Sequence, residues 1–134
     1  MKSLFFKSSV TLILLILFTF LQSFNADKEV FSAKVSWMEN TYDFGEIEKG
    51  IPVSYNFEFK NTGNEPLLIS NVKTTCGCTV PAYPKEPISP GASETIKVTY
   101  NAAKQGKFNK KVSVYTNAEE EMYALTISGE VIAK

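Results

Sequence analysis

The sequence predicts an all-β protein, an immunoglobulin-like β-sandwich of about seven to eight strands preceded by an N-terminal signal segment. Apolar and polar residues alternate in short runs, and turn-forming residues interrupt these runs at spacings of about 8–12 residues. No long helical period of apolar residues follows the first segment. The ten Phe and six Tyr residues also suit a β-rich core.

Residues 1–26 have the pattern of a secretory signal peptide. Lys2 and Lys7 give a positive start, and the apolar run from Val10 to Leu21 fits a signal h-region better than a membrane span. The alternative is that this segment remains as an uncleaved N-terminal anchor. In both cases we expect the following domain outside the cytoplasm, periplasmic or secreted.

The remaining chain divides into a lead-in with a first strand over residues 27–41 and the sandwich over residues 42–134. The clearest strand runs from Pro52 to Lys60, where alternate residues are large and apolar. The side chains predicted to face inward from this strand are Val53, Tyr55, Phe57 and Phe59. Later strands place inward Leu67 and Ile69, then Ile96, Val98 and Tyr100, then Phe108, Val112 and Val114, and finally Tyr123, Leu125, Ile127 and Val131.

Two further patterns predict local features of the sandwich. Gly129 occupies an inward position of the last strand, which indicates a bulge or a close approach of another backbone segment. The segment 81–90 contains four prolines and is predicted to be a rigid crossover between the two sheets.

The composition excludes several function classes. The chain has no His, so it cannot form Ser-His-Asp or Cys-His nucleophilic sites or a His-ligated zinc site. It has no Arg, and its 14 Lys balance 14 acidic residues, which argues against nucleic acid as a partner. No catalytic carboxylate pair or phosphate-binding loop is visible, so we expect a protein that is not an enzyme.

Cys76 and Cys78 form the candidate functional site, in the stretch Thr74-Thr75-Cys76-Gly77-Cys78-Thr79. Two steps of extended chain span about 7 Å, and a disulfide needs Cα atoms about 4.4–6.8 Å apart. Gly77 can take backbone angles closed to other residues, and a kink there would bring the two sulfur atoms together.

Three interpretations of the cysteine pair stay open. An oxidising compartment favours a local structural disulfide. A small ring is more easily reduced, so the same pair could instead serve a thiol-redox function. Two thiolates could also hold Cu(I), which accepts soft ligands, whereas zinc requires four ligands.

Several motifs in order resemble the bacterial family called domain of unknown function 1573, over about Tyr42 to Ile132. The most specific is the step Cys76-Gly77-Cys78-Thr79. The others are Phe44-Gly45-x-Ile47-x-x-Gly50, Asn61-x-Gly63-x-x-Pro66-Leu67, Pro90-Gly91, Gly106-x-Phe108 and Leu125-x-Ile127-x-Gly129. The resemblance implies an immunoglobulin-like sandwich exported to the cell envelope and similar in fold to major sperm protein. It implies no agreed activity.

These observations lead to a functional hypothesis with one alternative. The protein is expected to be an exported, non-enzymatic binding or structural module of the cell envelope, with a protein partner and no nucleic acid. Membrane contact is expected only through residues 1–26 if that segment is not cleaved. The alternative is a thiol-redox or Cu(I)-handling protein that uses Cys76 and Cys78.

Overall fold

The computed structural model describes residues 29–133, so the predicted signal segment lies outside the described residues. Phe31–Lys134 form one compact unit. Its described part is all β, which confirms the predicted fold class, and no helix there is long and apolar enough to cross a membrane. The strands in chain order are β1 (Val35–Trp37), β2 (Thr41–Glu48), β3 (Val53–Asn61), β4 (Ile69–Thr74), β5 (Thr79–Ala82), β6 (Ser93–Tyr100), β7 (Gly106–Thr116) and β8 (Met122–Ile132).

The eight strands form two sheets of four. The first sheet has the order β1-β3-β6-β5, and the second has the order β2-β8-β7-β4. All neighbouring strands are antiparallel except β2 and β8, which are parallel. The chain therefore changes sheets after β1, β2, β3, β4 and β6. The changes after β1 and after β4 each join two edge strands, on opposite sides of the sandwich.

The core lies between the two sheets and follows the alternation of the sequence. On β3, Phe57 and Phe59 are fully buried, while Val53 and Tyr55 are half-buried nearer the start of the strand. The predicted inward residues of the other strands are buried as well, apart from the half-buried Tyr123. They are Leu67, Ile69, Ile96, Val98, Tyr100, Phe108, Val112, Val114, Leu125, Ile127 and Val131. Burial of such side chains, worth roughly 1.5–3 kcal/mol each before entropy is counted, is the main source of stability.

Asn61, at the end of β3, is a polar residue in this core with no exposed surface. Its side-chain NH₂ donates to the carbonyl oxygens of Glu65 at 2.8 Å and Ile88 at 3.0 Å. Its side-chain oxygen accepts from the backbone N–H of Gly63 at 3.0 Å and of Lys34 at 3.4 Å. The buried amide is thus satisfied by three separate segments of the chain, as a buried polar group requires.

The structure corrects one prediction about the proline-rich segment. Pro81 and Ala82 belong to β5, and both β5 and the following β6 lie in the first sheet, so residues 81–90 do not cross between sheets. The segment instead returns along the same sheet and forms a bridge between Ile88 and Leu67. The crossover on this side of the sandwich lies earlier, between β4 and β5, where the two cysteines stand.

Gly129 marks a close backbone approach, one of the two features predicted for it. A Cβ atom at this position would lie 2.8 Å from Cζ of Phe108 and 2.9 Å from the carbonyl oxygen of Gly45. β8 is regular here, and the irregularity lies in β2, whose register with β8 shifts between Asp43 and Glu46. Gly129 therefore makes room for the bulge of β2.

Gly129→Ala is expected to lower the free energy of unfolding by about 1–3 kcal/mol, because the added methyl group would displace Phe108 or the β2 backbone. Gly77→Ala is the matched control, since a Cβ there meets no atom within 4 Å. It should stay within about 1 kcal/mol of wild type. Urea denaturation curves measure both, and equal losses for the two variants would contradict this assignment.

Candidate functional site

Cys76 and Cys78 lie in the turn that carries the chain from β4 in the second sheet to β5 in the first. The structure joins them in a disulfide, with Cα atoms 5.3 Å apart. This distance falls in the usual range for such bonds. The bridge therefore closes the crossover on this side of the sandwich.

Three hydrogen bonds hold the turn. The Thr74 hydroxyl donates to the carbonyl oxygen of Cys76 at 2.9 Å, and the Asn101 N–H donates to that of Cys78 at 3.0 Å. The Thr79 N–H points back at the Cys76 carbonyl at 3.5 Å. Gly77 does not use the left-handed region of φ, and a Cβ atom built on it would meet no atom within 4 Å. The turn is therefore made without a positive φ at Gly77.

The surroundings of the disulfide are partly solvent-accessible. Both cysteines are half-buried, whereas the Thr79 side chain is only 3% exposed. The Thr79 hydroxyl lies 3.8 Å from the Cys76 sulfur and 3.9 Å from the Cys78 sulfur. A hydroxyl therefore stands beside either sulfur that would leave in a thiol exchange. Among residues 29–133, no group of three or more His, Cys, Asp or Glu side chains is placed to hold a metal ion.

The same turn determines the outer edge of the first sheet. The Cys78 carbonyl points at Asn101, which follows β6. In an antiparallel pair, the main-chain groups of successive residues point alternately towards the neighbouring strand and away from it. The N–H and carbonyl positions of Thr79 and Pro81 therefore face away from β6. Pro81 has no N–H, and the Thr79 N–H is turned towards Cys76. In this part of the described chain, β5 therefore offers no free donor to another strand, which is a common protection of sheet edges.

The opposite edge of the first sheet is only partly covered, because β1 is shorter than β3. β1 pairs only with Phe59–Asn61 of β3, and one further bond joins the Met38 N–H to the Glu58 carbonyl at 3.1 Å. No other described strand lies beside Val53–Phe57 on that side, although β6 pairs with them on the other. We call Val53–Phe57, along this uncovered side, the open half of β3.

Ser54 and Asn56 carry the free main-chain groups of the open half. Asn61 directs its N–H and carbonyl oxygen at Ala92 and Gly91, on the β6 side. Alternation then places the groups of residues 60, 58, 56 and 54 on the other side, consistent with the bond from Met38 to Glu58. Two consecutive donor–acceptor pairs therefore face outward at Ser54 and Asn56.

Aromatic and acidic side chains adjoin the open half. The Tyr42 ring of β2 stacks on the Tyr55 ring of β3, with centroids 3.7 Å apart, and both residues are half-buried. The Tyr55 hydroxyl donates to the Glu39 carboxylate at 2.7 Å, and this bond raises the pKa of Tyr55 above its ordinary value. Two acidic residues of β2, Asp43 and Glu46, lie on a different surface, where they line a cleft of the second sheet with Lys107.

The sequence identified the cysteines but missed Ser54 and Asn56. The alternation of β3 correctly placed both as outward side chains. It did not show that their main-chain groups lack a neighbouring strand, because that depends on the order of strands in the sheet. The apolar alternation before β2 covers only Val35 and Trp37, and this shortness is the sequence feature that could have indicated an incomplete edge.

Most of the described chain matches a known protein family. Residues 35–131 match the family described as "Protein of unknown function (DUF1573)", and the chain belongs to this family. The match begins at β1, before the Tyr42 at which the motif resemblance starts, and includes the disulfide and the open half of β3. The sequence matches no curated protein.

Solved structures share the fold at low sequence identity. A protein of unknown function from Porphyromonas gingivalis W83 is 17% identical with a TM-score of 0.68; the match covers 81% of this chain and 51% of that one. This chain thus spans about half the length of that protein. The PapD-like domain 7 of human CEP192 is 13% identical with a TM-score of 0.66, covering 82% and 93%. SSP-19, an MSP-domain protein like family member in Caenorhabditis elegans, is 13% identical with a TM-score of 0.52, covering 65% and 94%.

The disulfide should contribute less to the free energy of unfolding than a buried core side chain does. The bridge encloses a single residue, so it restricts the unfolded chain little. Replacing both cysteines by serine should lower the free energy of unfolding by no more than about 2 kcal/mol and keep the fold. Phe57→Ala, at a position with 0% exposure, should cost more, about 3–5 kcal/mol. Denaturant melts without reductant test this order, and an unfolded double-serine variant beside a stable Phe57→Ala would reverse it.

Proposed function

We propose that this protein is an exported, non-enzymatic module that binds another protein of the cell envelope. The partner contributes an extended segment, which adds as a strand along the open half of β3. Export rests on the signal-peptide pattern of residues 1–26. Strand addition is a common mode of peptide recognition by sheets that have a free edge.

The observation that carries the proposal is the difference between the two edges of the first sheet. On β5, Pro81 and the turned N–H of Thr79 leave no donor for an added strand. On β3, Ser54 and Asn56 direct both their donors and their acceptors to an uncovered side. A sheet edge left free in this way is a risk for aggregation unless it has a partner, and natural proteins usually protect such edges.

Two positions allow a matched test of the proposal. Asn56 and Ala82 both lie opposite Lys97 of β6, on the same outer face of the first sheet but at opposite edges. A photo-crosslinking amino acid at position 56 should give a discrete protein adduct in intact cells, and the same amino acid at position 82 should not. Equal adducts from both positions, or none from position 56, would overturn the proposal.

A second candidate function is thiol-redox or Cu(I) handling by Cys76 and Cys78. It is favoured by the half-buried disulfide with the Thr79 hydroxyl beside both sulfurs. In this reaction a thiolate of an external dithiol attacks one sulfur and releases the other as a thiolate. The second thiol of the reductant then completes its own disulfide and leaves two reduced cysteines here. Copper would require this prior reduction, because its ligands would be thiolates.

The reduction potential and a Cu(I) titration of the reduced protein distinguish the two functions. For a purely structural bridge we expect a potential below about −300 mV and no stoichiometric copper binding. A higher potential would favour redox exchange, and tight 1:1 copper binding would favour metal handling. Reduced Cys76→Ser serves as the control, because it leaves one thiol of the pair.

A further inference from the structure

We propose that the segment bound along the open half of β3 is basic, with Lys or Arg at alternate positions that face the Tyr42–Tyr55 pair. This inference rests on the proposed function and adds the chemistry of the partner. It depends on three features of the described residues: the register that an added strand must adopt, the stacked tyrosines and the Glu39 carboxylate beside them.

The register follows from the free main-chain groups. An added antiparallel strand would pair by hydrogen bonds opposite Ser54 and Asn56, so the residues at those positions would point to the outer face. The partner residue opposite Tyr55 would point to the other face, like Tyr55 itself. Cross-strand neighbours of this kind lie within about 4.5–5.5 Å at Cβ, which is contact distance for a long side chain.

The surface that this residue meets is an aromatic pair with a carboxylate. Tyr42 and Tyr55 are stacked and half-buried, and Glu39 accepts the Tyr55 hydroxyl hydrogen bond. A cation beside tyrosine rings is attracted to their π-faces, and the attraction is stronger where the pair is shielded from water. The nearby carboxylate adds to this attraction for a cation and repels an anion.

The charges beside the open half favour the same partner. The Glu39 carboxylate lies at the Tyr55 hydroxyl, and Glu58 is exposed next to the open half. Lys97 lies opposite Asn56, on the outer face and not on the face of the tyrosines. Asp43 and Glu46 of β2 belong to another surface, because they line a cleft of the second sheet together with Lys107. The Glu39 carboxylate therefore favours a basic side chain beside the tyrosine pair and disfavours an acidic one by like-charge repulsion.

Short synthetic peptides test the proposal directly. The probes are peptides of alternating Val and Lys, Val and Glu, and Val and Thr, together with a Val-Lys peptide N-methylated at alternate residues to remove its ladder donors. Titration of the isotopically labelled protein measures their affinities. We expect the Val-Lys peptide to bind about tenfold more tightly than the other three, which corresponds to about 1.4 kcal/mol.

Amide hydrogen exchange locates the bound peptide. In the free protein the Ser54 and Asn56 amides should exchange faster than those of Tyr55 and Phe57, which face β6. The Val-Lys peptide should slow exchange at Ser54 and Asn56. Binding without this protection would overturn the site. Protection that develops in the free protein as its concentration rises would assign the edge to a second copy of this chain and also overturn the proposal.

Two double variants distinguish the effect of charges near the open half from the effect of the net charge of the protein on peptide binding. Glu39→Gln with Glu58→Gln removes two charges near the open half, and the amide introduced at position 39 keeps an acceptor for the Tyr55 hydroxyl. Glu86→Gln with Glu121→Gln removes two exposed charges elsewhere. The first pair should weaken Val-Lys binding at least about threefold and reduce its salt dependence, and the second should not. Equal effects would overturn the inference.

The peptide results can fail independently of the proposed function. Equal affinity for the Val-Lys and Val-Thr peptides, or tighter binding of the Val-Glu peptide, would overturn the basic preference. An adduct from position 56 in cells would still support strand addition by a partner of different charge. The absence of that adduct would remove the binding function itself.

Discussion

The buried side-chain amide of Asn61 bonds three separate segments of the chain to one another. It bonds the turn after β3, the returning segment that contains Ile88, and the lead-in at Lys34. Its own main chain bonds Ala92 and Gly91, where β6 begins. An amide without exposure costs free energy unless all of these partners are in place, so it selects one arrangement of the segments. The end of the sandwich at which β1 enters depends on this arrangement.

The segment before β1 is held at this end of the sandwich, and this explains why β1 covers only part of β3. The backbone of Ser32 exchanges hydrogen bonds with Asn64, and Glu119 accepts from the Ser32 hydroxyl and pairs with Lys34. The hydroxyl bond is the main cause of a lowered pKa of Glu119. The chain is thus fixed along only the last part of β3 before it leaves for the second sheet. On the other side the switch between sheets occurs at the disulfide, and β5 continues with a proline at its edge.

The sequence predicted the residues that lie between the two sheets better than it predicted the edges of the sheets. A period of two places Phe57 and Phe59 in the core because burial depends on local alternation, and the structure confirms them. Asn61 continues the same alternation. Its polar side chain at an inward position is the sequence feature that indicates a buried residue with several hydrogen-bond partners. Pro81 falls in the segment that four prolines predict to be a crossover between the sheets, although an edge strand tolerates a proline. The free groups of Ser54 and Asn56 depend on which strands are neighbours, and that is a property of the three-dimensional arrangement alone.

The parallel pairing of β2 with β8 has a consequence for how the chain reaches its folded state. Thr41 pairs with Thr126, so one of the first strands of the domain is a neighbour of the last. Contacts between residues so distant in sequence raise the contact order, and closing such loops slows folding. A chain that is synthesised from its N-terminus cannot complete the second sheet until its C-terminal residues have been added. Its aromatic residues remain exposed until then, and protection from aggregation during that interval has to come from outside the domain.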